Sequence, residues 1–294
     1  MFHGSMTALV TPFTDNGDIA WDDLKKLVEH QIAGGTDVLV PCGTTGESAT
    51  LSHAEHDEVV EAVIKFAAKR AKVVAGAGSN STAEALRLTK HAKDAGADGV
   101  LHVAPYYNKP TQEGLYRHFM EVASVGIPVI VYNIPGRTSI NITAETMARI
   151  AKDAPMIVGL KEATGSLAQA SETLIAVNAT GKKGFTMLSG DDALTLPMIA
   201  IGAVGVISVI SNLLPGMVKK LVSTALAGDY TAARDIHNRY FNCMAGMFLE
   251  TNPAPIKEAM YMQGLISSAA LRLPLVRVKP DTAEKIRALL KIAG

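Results

Sequence analysis

The sequence predicts an α/β protein, a (β/α)8 TIM barrel followed by a C-terminal helical appendage. Three observations carry that reading. Eight short apolar runs recur along the chain, each followed by a Gly, Thr or Asn turn and then an amphipathic helix. The runs are apolar on both faces, as parallel strands covered by helices must be. Strand patterning stops after Gly228, while helical patterning continues. Eight such units in about 225 residues match the count and length of a barrel. The expected division is a barrel over residues 1–228 and a helical domain over 229–294.

The first unit is the run Met6–Val10 with the helix Trp21–Ala33, stopped by Gly34 and Gly35. Val38–Pro41 and Ala54–Lys69 follow. Ser52 and Glu55 form a capping-box pattern at the start of that helix. Val73–Gly76 leads to Ala83–Ala95, which ends at Gly96, and Gly99–Val103 leads to Gln112–Ala123. Val129–Tyr132 precedes Ala144–Lys152, for which Thr143 is a cap toward Thr146. Ile157–Lys161 with Leu167–Val177, Thr186–Ser189 with Ala193–Ile201, and Val206–Ser208 with Pro215–Ala227 complete the eight. Tyr230–Met247, Pro255–Met262 and Ala283–Ile292 read as the helices of the appendage. A doubly wound open sheet would need fewer strands and a glycine-rich phosphate turn after the first. Thr11-Pro12-Phe13 stands there instead.

Bulk properties exclude several classes. The chain has 294 residues, with 28 Lys plus Arg against 28 Asp plus Glu, so it lacks the basic excess of a nucleic-acid binder. The same balance gives no support for an anionic membrane as partner. A hydrophobic share of 48% is enough for a sizeable core. Cys42 and Cys243 lie far apart and outside any C-x-x-C pair, which argues against a disulfide framework or a zinc site. A reducing, cytoplasmic compartment fits best. The N-terminus has no basic stretch followed by a long apolar one, so it does not read as a signal peptide. Met198–Ile210, the most apolar segment, is shorter than the ~20 residues that span a bilayer, and it contains two glycines.

One side chain stands out chemically. Lys161 ends the apolar run Met156-Ile-Val-Gly-Leu-Lys161. Partial burial at the carboxyl end of a strand would disfavour its ammonium form and lower its pKa. A neutral amine there can attack a ketone and form a Schiff base. From this segment alone, an exposed lysine that merely closes a strand fits equally well. The other strand ends tip the balance, because barrel chemistry is done at that face. They supply Thr44, Thr45 and Glu47 after strand two, and Tyr106, Tyr107 and Asn108 after strand four. Tyr132, Asn133, Arg137 and Thr138 follow strand five, and Ser189, Gly190, Asp191 and Asp192 follow strand seven. An amine, phenols, hydroxyls and one guanidinium suit imine chemistry: lysine as nucleophile, tyrosine as proton shuttle, threonine as relay, arginine as carboxylate fork. Taken singly, Tyr132 could be a core tyrosine, Thr44 and Thr45 could be turn residues, and Arg137 could be a surface arginine.

Other motifs fail. Gly76-Ala-Gly78-Ser-Asn-Ser81 lacks the last glycine of a dinucleotide fingerprint. His53 and His56 lack the spacing of a helical zinc motif. Asp191-Asp192 reads as a helix start rather than a Mg²⁺ site.

The segments Gly43-Thr-Thr-Gly-Glu47, Pro105-Tyr-Tyr-Asn108, Tyr132-Asn-Ile-Pro-Gly-Arg-Thr138, Gly159-Leu-Lys-Glu-Ala-Thr164 and Ser189-Gly-Asp-Asp192 carry a resemblance that extends over essentially the whole chain. The sequence resembles the dihydrodipicolinate synthase (4-hydroxy-tetrahydrodipicolinate synthase) family, pyruvate-dependent class I aldolase-type enzymes of lysine and diaminopimelate biosynthesis. That resemblance implies condensation of pyruvate with L-aspartate 4-semialdehyde, through an imine on Lys161. It implies a proton relay of Tyr132, Thr44 and Tyr107, with Tyr107 crossing into the site of a neighbouring subunit. Arg137 would hold the semialdehyde carboxylate and Thr45 the pyruvate carboxylate, with Gly190 and Ile207 lining the lysine pocket through backbone groups. No metal or organic cofactor is implied, and the expected assembly is a homotetramer, a dimer of dimers. Ser48, Ala49, His53, His56, Asn80, Glu84 and Tyr106 match a site for L-lysine as feedback inhibitor. The alternative is another Schiff-base aldolase of the superfamily, such as N-acetylneuraminate lyase or a 2-keto-3-deoxy-sugar-acid aldolase. Those enzymes typically lack an arginine at the position of Arg137.

Overall fold

The computed structural model describes residues 2–293 and closes eight parallel strands into a barrel, ordered β1 to β8 around the ring. The strands are β1 Gly4–Ala8, β2 Val38–Val40, β3 Lys72–Gly76, β4 Gly99–Val103, β5 Val129–Asn133, β6 Ile157–Glu162, β7 Thr186–Ser189 and β8 Gly205–Ser208. The helices between and after them are α1 Trp21–Ala33, α2 His53–Ala67, α3 Thr82–Asp94, α4 Gln112–Ser124, α5 Pro135–Thr138, α6 Ala144–Asp153, α7 Leu167–Ala179, α8 Thr195–Ala200 and α9 Pro215–Leu226. Beyond the last unit lie α10 Tyr230–Gly246, α11 Ala254–Met262 and α12 Pro280–Ala293. Closure occurs where Gly4 pairs with Gly205 and Thr7 with Ser208. A Cβ on Gly205 would lie 2.1 Å from the Gly4 carbonyl oxygen, so only glycine lets these strands meet.

Strand alternation divides the apolar side chains into two cores. Met6, Val38, Val40, Val74, Leu101, Ile130, Tyr132, Val158, Leu188 and Ile207 fill the barrel interior. Val129, Val131, Ile157, Leu160 and Val206 face outward and pack under the helices. Helix starts follow their caps. Ser52 and Glu55 form a reciprocal capping box, and the Thr143 hydroxyl accepts from the Thr146 N–H.

Several boundaries differ from the sequence reading. The first strand is Gly4–Ala8, not Met6–Val10. Leu9, Val10 and Phe13 leave the sheet and enter the outer core, and the Val10 N–H bonds the Asn212 side chain. α2 stops at Ala67 because Ala68 and Lys69 adopt left-handed backbone. The expected helix Ala193–Ile201 is a 3-10 turn over Asp192–Leu194 followed by α8. α5 is a single turn inside what reads as a loop.

The most consequential departure lies in β6. Ile157 faces the helices and Val158 the interior, so strict alternation would put Leu160 inside and Lys161 outside. Instead the β5–β6 register shifts between Val129 and Ile130, skipping from Ile157 to Gly159. This bulge reverses the phase. Leu160 points outward, and Lys161 enters the barrel level with Tyr132 on β5 and Leu188 on β7. Gly159 permits it: a Cβ there would lie 2.7 Å from the Thr186 carbonyl oxygen.

Candidate active site

Lys161 is 5% exposed, and its Nζ sits 4.1 Å from the centroid of the Tyr132 ring. Burial lowers its pKa to about 7, with the Arg137 charge acting in the same direction and the Asp192 carboxylate opposing them. An ordinary lysine at pH 7 holds only ~0.03% of its amine unprotonated, whereas this one holds about half. Tyr132, also buried, is pushed up to about 12, moderated by the Arg137 charge and a hydrogen bond with Thr44. Its phenol therefore stays protonated at neutral pH and can both give and receive a proton.

Thr44, the hydrogen-bond partner of Tyr132, also lines a cavity of about 310 Å³, with Ser48, Ala49, Tyr106, Ile134, Arg137, Thr138 and Asn252 among others. Arg137 rides on α5, and its Nη2 donates to the Asn252 carbonyl at 2.8 Å. Thr45 is buried and accepts from Asn252 Nδ2 at 2.9 Å. The Gly190 N–H donates to the Glu162 carbonyl at 2.7 Å, and a Cβ on Gly190 would meet that of Ala163 at 2.5 Å. Ile207 is fully buried in the barrel interior. Lys161, Tyr132, Thr44 and Arg137 thus converge as the strand ends suggest. Tyr107 does not join them within its own chain. It is 90% exposed on a left-handed backbone with φ 71°.

The residues matched to an effector site divide. His53 Nε2 lies 2.6 Å from Glu84 Oε1, and Glu84 also accepts from the Ser79 hydroxyl. Those two partners hold the Glu84 carboxyl below its usual range, Ser79 more strongly. Tyr106 stands near enough for the Glu84 charge to raise its phenol, a smaller effect than that of burial. The Asn80 carbonyl accepts from Asn108 Nδ2 at 2.8 Å. Ser48, Ala49 and Tyr106 line the same cavity as Thr44 and Arg137. His56 stands apart from the other residues matched to that site. It is 5% exposed, and its Nε2 bonds the Gly76 carbonyl at 2.8 Å.

The sequence reading placed Glu47 and Asp192 at strand ends without a role, and it missed Asn252 and the buried ion pair of Lys257 with Glu47. Lys257 Nζ lies 2.5 Å from Glu47 Oε1, both side chains at most 1% exposed. The pair fastens the loop bearing Thr44 and Thr45 to α11. Such contacts join positions more than 200 residues apart, and no local pattern signals them.

A buried low-pKa amine inside a (β/α)8 barrel, beside a hydrogen-bonded tyrosine and threonine, defines the class of lysine-dependent barrel lyases. Within that class, the chain belongs to the dihydrodipicolinate synthetase family, whose sequence profile matches residues 1–293. It is 52% identical over 295 residues to the 4-hydroxy-tetrahydrodipicolinate synthase of Syntrophus aciditrophicus, covering 100% of this chain and 99% of that protein. The 4-hydroxy-tetrahydrodipicolinate synthase of Persephonella marina is 49% identical over the same length, with the same coverage. Among solved structures, dihydrodipicolinate synthase from Aquifex aeolicus superposes with a TM-score of 0.95 at 47% identity, covering 99% of this chain and 97% of that one. The enzyme from Cyanidioschyzon merolae with lysine bound gives 0.95 at 39% identity, covering 100% and 98%.

Proposed function

We propose that this chain condenses pyruvate with L-aspartate 4-semialdehyde to give 4-hydroxy-tetrahydrodipicolinate. The observation that carries this reading is the buried, half-neutral amine of Lys161 against Tyr132, in a chain so similar to synthases of that name. Lys161 Nζ attacks the pyruvate ketone, and loss of water leaves a cationic iminium. A methyl proton departs and the iminium takes up the electron pair as an enamine. The enamine carbon attacks the semialdehyde aldehyde, forming the new C–C bond. The semialdehyde amino group then adds to the iminium carbon, closes the ring and releases Lys161. Tyr132 and Thr44 relay the protons, and Thr45 holds the pyruvate carboxylate. Arg137 in the cavity lining offers a fork for the second carboxylate, which a lysine would serve less well. Gly190 and Ile207 shape the lysine pocket with backbone groups.

Tyr107 joins the relay from a second copy, in a homotetramer built as a dimer of dimers. Both cysteines are free and buried, in keeping with a reducing cytoplasm. Among the described residues no helix is long and apolar enough to cross a membrane.

A coupled assay with pyruvate and the semialdehyde, run beside N-acetylneuraminate, tests the substrate assignment. Turnover of the semialdehyde is expected, and turnover of N-acetylneuraminate alone would overturn it. Arg137→Ala should raise KM for the semialdehyde tenfold or more while leaving pyruvate imine formation largely intact.

The His53–Glu84 pair beside Tyr106 favours a second reading, L-lysine as inhibitor. Glu84 would take its ammonium, while Asn80 and Tyr106 take its carboxylate and Ser48, Ala49 and His53 close around it. His56 supports that wall from beneath. Activity unchanged at millimolar L-lysine sinks this reading.

A further inference from the structure

One buried residue joins the two groups assigned to the substrate carboxylates. Asn252 is 4% exposed and lines the cavity with Thr44 and Arg137. Its Nδ2 donates to the Thr45 hydroxyl oxygen at 2.9 Å, and its backbone carbonyl accepts from Arg137 Nη2 at 2.8 Å. Asn252 belongs to the segment between α10 and α11, 207 residues beyond Thr45 in sequence. The two segments are fastened together close by. Glu47, two residues after Thr45, bonds Lys257 Nζ of α11 at 2.5 Å and accepts from the Arg272 N–H at 3.2 Å. The other end of the Asn252 amide is bare: Oδ1 is buried and has no hydrogen-bond partner among the described residues.

Buried amides that serve the fold alone are generally bonded at both ends, because an unpaired buried acceptor lowers stability. Asn252 has one end of its amide in use, and that end is on Thr45. A threonine hydroxyl carries one proton and two lone pairs, whereas the nitrogen of an amide only donates. The bond from Asn252 therefore occupies a lone pair of Thr45 Oγ1 and leaves the hydroxyl proton for another acceptor. Taking Thr45 as the residue that holds the pyruvate carboxylate, we infer that Asn252 is a positioning residue for both substrates. Its side chain turns the Thr45 hydroxyl proton toward the pyruvate carboxylate, and its backbone carbonyl holds the Arg137 guanidinium for the second carboxylate. Donors aimed in advance lose little freedom when the substrate arrives. One residue thus sets both carboxylate holders, but through separable groups.

The test is Asn252→Leu in the full chain, which removes the side-chain donor but keeps its bulk and the backbone carbonyl. The pyruvate concentration that half-saturates borohydride trapping on Lys161 should rise roughly tenfold. KM for the semialdehyde should stay within about threefold, because Arg137 keeps its main-chain partner. In a Thr45→Val background the same substitution should shift the pyruvate concentration by less than about twofold, since the hydroxyl it acts through is gone. An unchanged pyruvate requirement, an equal rise in both backgrounds, or a parallel rise in KM for the semialdehyde would overturn the inference. The last two are what a merely structural residue gives. Asn252→Ala, which adds no bulk, carries the same comparisons should the leucine variant not fold. A Thr45→Val protein with an unchanged pyruvate requirement is a different failure, that of the carboxylate assignment on which the inference rests.

Discussion

Lys161 is held in an environment that opposes its usual charge. Its pKa when folded, about 7, lies well below the ~10.4 of an unfolded lysine, so between those values the unfolded chain binds one more proton. The contribution of this residue to stability therefore rises with pH across that window, and at neutral pH and below it is a burden on the fold. Lys161→Met should remove the burden, raising stability at pH 7 by roughly 2 kcal/mol in denaturant titration while abolishing turnover. A variant both inactive and less stable would mean that the amine is not buried as described. At this scale much of the site was legible. Lys161, Tyr132, Thr44 and Arg137 could be read as reactive residue types at strand ends. Asp192 was visible at a strand end but not in its contacts, since an Asp pair before an apolar run signals a helix cap and only the folded chain reveals the Val209 and Ile210 donors. Asn252 was hidden for the same reason, since its partners Thr45 and Arg137 are far off in sequence.

Among the elements, β6 links fold to chemistry most directly. The bulge at Gly159 turns Lys161 inward and leaves Glu162 outside the barrel, where it accepts from the Thr164 N–H. A side chain at 159 would strike β7 backbone at Thr186. Gly159→Val should force β6 and β7 apart or restore strict alternation. Either way, pyruvate-imine formation should fall at least a hundredfold, beyond the few kcal/mol lost from overpacking. Retention of a normal imine yield would show that the bulge does not aim the lysine. The strands and most helices were legible because both-face apolar runs and caps are local signals. The bulge was not, because nothing in Ile157-Val-Gly-Leu-Lys161 says which partner residue is skipped.

For the whole molecule, the decisive feature is Tyr107, raised on strained backbone and almost fully exposed. If it serves a neighbouring copy, two inactive variants should complement each other. Lys161→Met retains Tyr107, and Tyr107→Ala retains Lys161. Unfolded, mixed and reassembled together, they should recover a substantial fraction of wild-type turnover that neither shows alone. No recovery in verified mixed oligomers would restrict Tyr107 to its own chain. The Lys257–Glu47 pair and the Asn252 contacts make the C-terminal segment part of the same assembly, since they hold the Thr44–Thr45 loop from α11 and the segment before it.

The imine assignment is tested most directly by borohydride reduction in the presence of pyruvate, followed by peptide mass mapping. Lys257 provides an internal comparison, because it too is a buried lysine, already held by Glu47 and the Ala270 carbonyl. The expected result is one reduced pyruvate adduct per chain, on Lys161 alone, absent from Lys161→Met. No adduct, or an adduct on Lys257 or any other lysine, would contradict it.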